Sequence, residues 1–153
     1  MSQPLEQTGS IMPDTINSEV VTVRPESEIM SRQRLPYFVG VSHESAGATG
    51  ISMNLVIIPP GGAAEAHLHR GYETAIYLIQ GQVQTRYGPG LQKSVINQSG
   101  DFIFIPANVP HQPVNLSQTE AAIAVVARND PNEQESVEHY NPQTAPSNLA
   151  PQG

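Results

Sequence analysis

Apolar residues in this chain come in short runs, and within the runs they alternate with polar ones more than they recur at helical spacing. EVVTVR (19–24), YFVGVSH (37–43), ISMNLVIIP (51–59), TAIYLIQ (74–80), QVQTRY (82–87), DFIFIP (101–106) and AAIAVVAR (121–128) are rich in β-branched and aromatic residues. Most are bounded by Gly, Pro, Asn or Asp, as strands closed by turns are. Gly81 separates two runs where a strand can bend sharply, and YGPGLQ (87–92) reads as a loop. No clean 3.6-residue period is sustained, so helix should be minor. Seven or eight strands in one short chain predict an all-β sandwich or small barrel.

Composition limits the rest. The chain has 153 residues, enough for one ordinary domain, and its 14 Pro and 12 Gly suit many turns. Residues 1 to about 18 are polar and read as a flexible arm, 19–129 as the folded domain, and 130–153, almost without apolar residues, as a loose tail. There is no cysteine, which excludes disulfides, thiolate metal sites and cysteine nucleophiles. A formal charge of −7 with scattered basic residues argues against nucleic acid as a partner. No segment approaches the roughly 20 apolar residues that cross a bilayer. The first residues lack the basic and apolar regions of a secretory signal, so no membrane partner and a cytoplasmic location are expected.

The chemistry concentrates in few residues. Of five histidines, His67 and His69 form a His-x-His pair, whose side chains share one face of a strand and can chelate one ion. Glu73 follows after a short turn through Arg70, Gly71 and Tyr72 that can return it to that face. The surrounding pattern is Gly61-x5-His67-x-His69-x3-Glu73-x7-Gly81, followed by Gly100-x5-Pro106-x-Asn108-x2-His111-x3-Asn115. These blocks resemble the paired motifs of the cupin superfamily, G-x5-H-x-H-x3,4-E-x6-G and G-x5-P-x-G-x2-H-x3-N. Two departures stand out. Asn108 occupies a glycine position, where Asn tolerates left-handed backbone. Glu73 lies one residue further from Gly81 than the pattern has it, which puts Thr74 at the strict register.

The resemblance implies a double-stranded β-helix, or jelly-roll barrel, with His67, His69, Glu73 and His111 holding one divalent ion inside it. Such ligands suit Fe(II) or Mn(II) first, and Ni(II), Co(II) or Zn(II) as well, with coordination positions left open. It also implies a homodimer. The leading functional expectation is a metal-dependent, oxygenase-like enzyme acting on a small oxygenated molecule; the alternative is a non-catalytic metal- or small-molecule-binding sensor, and a metal-dependent isomerase ranks lower. TAIYLIQ and DFIFIP should wall the ion with apolar side chains and few further ionisable groups, which favours a largely neutral ligand. Tyr77 shares the parity of Glu73 and is a candidate to face the pocket. Arg70, His43 and His139 read as surface residues, and Pro106 and Asn115 as turn formers. Metal affinity should fall below about pH 6.5, where free imidazole takes up a proton.

Overall fold

A computed structural model describes residues 18–132, 134 and 136–143 of the chain. Its strands are β1 (Ile29–Met30), β2 (Pro36–Val41), β3 (Ser52–Ile58), β4 (His67–His69), β5 (Thr74–Gln80), β6 (Gln82–Tyr87), β7 (Lys93–Gln98), β8 (Phe102–Ile105), β9 (His111–Asn115), β10 (Ala122–Arg128) and β11 (Val137–His139). One helical turn, α1 (His43–Ala46), is capped by Ser42, whose hydroxyl accepts from the Ser45 amide. The strands form two antiparallel sheets, β1-β2-β3-β10-β5-β8 and β11-β4-β9-β6-β7. The expected all-β jelly roll is the observed fold.

Alternation decides what each strand buries. Thr74, Ile76 and Leu78 of β5 face the interior, and the exposed residues between them, Ala75 and Tyr77, face out. The register carries this across the larger sheet: Thr74 pairs with both Ile105 and Arg128, and Arg128 with Ser52. One row further along, Ile76 pairs with Ile103 and Val126. The core between the sheets gathers Leu35, Ile58, Ala64, Leu78, Val83 and Ala122, with Val56 and Ala124 against it. On the outer face Phe102, Phe104, Tyr77 and Ile79 remain exposed.

The chain crosses from one sheet to the other between β5 and β6, at Gly81. Its φ of +101° is a glycine conformation, and a Cβ there would lie 2.9 Å from Ala122 Cα and Cβ. Asn108 takes the left-handed φ of +69° expected of it. It does more than turn the chain, because its amide donates to the His69 carbonyl and its Oδ1 accepts from the Gly71 amide. Asn115 is fully buried and donates to the carbonyls of Ile58, Pro59 and Glu120, which ties β9 to the ends of β3 and β10.

Two expectations need correction. Residues 19–24 form no strand, and Val20 and Val21 are exposed; β propensity yields a strand only where a sheet edge is there to pair with it. The expected arm lies outside the described residues apart from Ser18. The boundary at 129 falls too early. Val137–His139 pairs with His67–His69, the Tyr140 amide donates to Ala66, and the Gly90 amide donates to Tyr140 Oη. A polar segment can complete a sheet edge because the ladder is made by backbone groups, which hydropathy does not register. The remainder of the expected tail, 144–153, lies outside the described residues.

Shortening the chain to residues 18–129 should therefore lower stability by about 3 kcal/mol or more, counting roughly 1 kcal/mol per lost hydrogen bond. Differential scanning calorimetry would read this as a fall of roughly 10 °C. An unchanged melting temperature would show that β11 adds nothing to the fold.

Candidate metal centre

Three histidines meet where β4 lies between β11 and β9. His67 and His69 project together because they are two residues apart on one strand, and His111, the first residue of β9, is the direct pairing partner of His67. One ring nitrogen of each lies within 4.8 Å of the others, and all three side chains are buried. The His67 ring centroid is 4.3 Å from that of His111 and 5.1 Å from that of His69.

Hydrogen bonds to the far side of two of the rings select the tautomer. His67 Nδ1 lies 2.8 Å from the Glu65 carbonyl oxygen, and His111 Nδ1 lies 2.9 Å from that of Val109. A carbonyl only accepts, so both rings carry their proton on Nδ1 and keep the Nε2 lone pair free. His69 Nδ1 is 3.1 Å from Ser136 Oγ, and its Nε2 is buried with no hydrogen-bond partner. Leaving such an atom unsatisfied costs about 1–3 kcal/mol, which a bound cation would offset. Three neutral imidazoles, two with a free Nε2 lone pair and one whose buried Nε2 has no partner, fit a divalent transition ion.

The protonation equilibria agree. Burial first, then the nearby charge of His111, lowers the pKa of His67 to about 3. Burial also lowers His111 to about 4, against the opposing Val109 hydrogen bond and with Arg128 adding to the shift. His69 is pushed far below the ordinary imidazole range, by burial first and Arg128 next. The rings are thus neutral at pH 7 without help from a metal.

Glu73 does not join them. It is exposed, outside the three-histidine group, and its amide donates to Asn129 Oδ1 just beyond the end of the neighbouring strand β10. The inward position belongs to Thr74, the residue at the strict motif register, and period two then forces Glu73 outward. Tyr77 follows the same parity out of the pocket: it is 39% exposed and packs against Phe102, with ring centroids 4.8 Å apart. Arg70 pairs with Glu138 at 2.8 Å on the surface. His139 lies on the surface as expected, where it bonds the Arg32 carbonyl and Glu65.

Between the sheets lies a cavity of about 80 Å³, bounded by His67, His111, Thr74 and Arg128 and by an apolar wall including Ile58, Ile76 and Leu78. The apolar wall and the scarcity of ionisable groups match expectation, with Arg128 the charged residue beyond the histidines in the described lining. Arg128 is buried, with its Nε donating to Thr74 Oγ1 at 2.9 Å. Burial lowers its pKa to about 10, opposed by Asp130, so it stays charged at neutral pH. At the end of AAIAVVAR it looks like a solvated strand terminus. The usable signal was parity, since Ala122, Ala124, Val126 and Arg128 share one face. Ser136, the partner of His69, had no sequence signal at all.

Because the unfolded histidines titrate near pH 6.5 and the folded ones near 3 and 4, the unfolded state binds more protons throughout that interval. Stability should be complete above about pH 6.5 and fall as pH drops toward 4, by up to about 1.4 kcal/mol per pH unit for each such histidine. Urea denaturation at pH 7.5 and 5 should show this loss, and His111→Gln should make it shallower. For the same reason metal affinity of the folded chain should stay flat to about pH 5, where the free-imidazole expectation has it falling. A decline beginning at pH 6.5 in direct titrations would mean that the rings are less buried than described.

Comparison with known proteins places this architecture. The cupin domain model matches residues 54–127, the span from β3 to β10 that contains all three histidines. A germin-like protein, subfamily T member 3, of Arabidopsis thaliana is 29% identical over 137 residues, covering 86% of this chain, and the chain spans only 57% of that protein's length. Oxalate decarboxylase of Lactobacillus farciminis superposes with a TM-score of 0.63 at 22% identity, over 82% of this chain and 37% of the enzyme. The polyketide cyclase RemF of Streptomyces resistomycificus gives 0.62 at 20% identity, over 82% and 87% of the two chains. Matching motifs, the two-sheet topology and the domain match converge: residues 54–127 of this chain form a cupin domain.

Proposed function

We propose that this protein is a metal-dependent enzyme that holds one divalent transition ion on Nε2 of His67, His69 and His111 and acts on a small oxygenated molecule in the adjoining cavity. The observation that carries the reading is the buried trio of imidazoles, with the His69 Nε2 left without a partner. Of the expected ions, three imidazoles with open positions suit Fe(II), as they do Ni(II) and Zn(II), better than Mn(II), and the ion would supply Lewis acidity or, with iron, oxygen chemistry when bound. The chain's own residues do the remaining work. Glu65 and Val109 carbonyls and Ser136 Oγ orient the rings, and the apolar wall keeps bulk water from the ligand. A volume of about 80 Å³ restricts that ligand to a small molecule, well below the several hundred Å³ of drug-sized sites.

One observation favours a binding module without catalysis. Among the described residues lining the cavity no carboxylate occurs, so beyond the histidines no ordinary general base faces a ligand. Metal identity and oxygen consumption separate the two readings.

Elemental analysis after equilibration with Fe(II) or Mn(II) should give one ion per chain. His67→Ala or His111→Ala should each lower this below about a tenth, because a two-imidazole remnant chelates poorly. Glu73→Ala should bind as the parent does. Full occupancy in both histidine variants would refute the site. If the protein is an oxygenase, the Fe(II) form should consume dioxygen with a small enol or oxo-acid substrate and the Zn(II) form should not; equal turnover with both would indicate isomerase-type Lewis-acid chemistry.

A further inference from the structure

The cavity holds a buried cation that the metal reading does not use. Arg128 ends β10 between Thr74 of β5 and Ser52 of β3, and the inward parity of the strand delivers it to the cavity that His67 and His111 also line. Its side chain is 7% exposed. Guanidinium offers five N–H donors in a planar fork. Among the described residues, one of these is engaged, Nε to Thr74 Oγ1. The ion pairs of the described residues are Arg70–Glu138 and His139–Glu65, so among the described residues no carboxylate forms an ion pair with Arg128. Asp130 is buried and opposes the fall in the Arg128 pKa, yet it acts only through space, and its Oδ1 accepts from the Asn132 amide.

A buried guanidinium whose fork is only partly engaged is expensive, and a ligand that completes its hydrogen bonds offsets that cost. The imidazoles contribute no negative charge, and no carboxylate belongs to their group. Among the described residues that line the cavity, Arg128 is the cation and no carboxylate occurs, while Asp130 is buried nearby. Its wall around the guanidinium is aliphatic, with Ile76, Leu78, Ile103 and Val126. A single fork suits one planar, singly charged carboxylate, whereas a doubly charged phosphate ester would call for further cations.

We propose that Arg128, held in place by Thr74, anchors the carboxylate of a small aliphatic acid in this cavity. This deepens the reading above by naming the class of ligand, and it rests on that reading for the cavity being the ligand site. The Nη groups take the carboxylate oxygens and the apolar wall takes the aliphatic carbons. Thr74 acts as a positioning residue, fixing the plane of the fork through Nε.

Isothermal titration of the full chain with isobutyrate and with its neutral counterpart isobutyramide tests this, in low-chloride buffer and in both metal-free and Co(II)-loaded forms. The parent protein should bind isobutyrate at least about tenfold tighter than isobutyramide in both forms, as a charge-assisted bidentate contact provides. Arg128→Met should abolish the preference while leaving one Co(II) per chain, Arg128→Lys should restore part of it, and Thr74→Val should weaken it about threefold. Equal affinity of the parent for the two ligands overturns the proposal, and so does a preference that survives in folded Arg128→Met, since the anion would then sit on the ion alone. If Arg128→Met does not fold, the parent comparison and Thr74→Val decide. Failure to bind Co(II) with the preference intact would instead defeat the metal site and leave Arg128 as the anchor.

Discussion

Burying three imidazoles and a guanidinium in one small β-sandwich is the constraint on which the rest of this molecule depends. Each polar ring taken from water needs its Nδ1–H satisfied and its charge suppressed. The fold meets the first demand with local acceptors. Glu65 and Val109 each lie two residues before the histidine they serve, so the turn that starts the strand also supplies the carbonyl. It meets the second by burial, which holds the rings neutral and ready to ligate. What it leaves unmet, the Nε2 of His69, defines where a cation belongs.

Strand parity then sorts the remaining chemistry. One face of the six-stranded sheet carries Thr74, Ile76, Leu78, Val126 and Arg128 toward the cavity, and the other carries Ala75, Tyr77 and Phe102 to the surface. A shift of one residue would exchange the two sets completely. Here Thr74 takes the inward place and Glu73 the outward one. The site is thereby a three-histidine group facing a buried arginine, with an electrostatic character opposite to that of a site closed by a carboxylate.

The β11 segment links the two layers of this argument. It pairs with β4 along the length of the His-x-His strand, places Ser136 on His69, and anchors its own end through Tyr140. The strand that bears two of the histidines is thus an interior member of its sheet, flanked by β11 and β9. An edge strand of three residues would have fewer constraints on its side chains.

The amino-acid sequence alone determined the fold class, the corner at Gly81, the turn at Asn108 and the three histidines. Each of these is written locally, in alternation, in glycine placement and in motif spacing. It also carried the clue to Glu73, in the extra residue before Gly81, but spacing alone could not say which of two adjacent residues turned inward. Only the tertiary structure settled that, because parity at a strand end is fixed by cross-strand pairing with Ile105 and Arg128. The same holds for Arg128 and Ser136, which are distant in sequence from the histidines they adjoin. Their burial follows from which strands become neighbours, and hydrogen bonding between backbones decides that without leaving a mark on local composition.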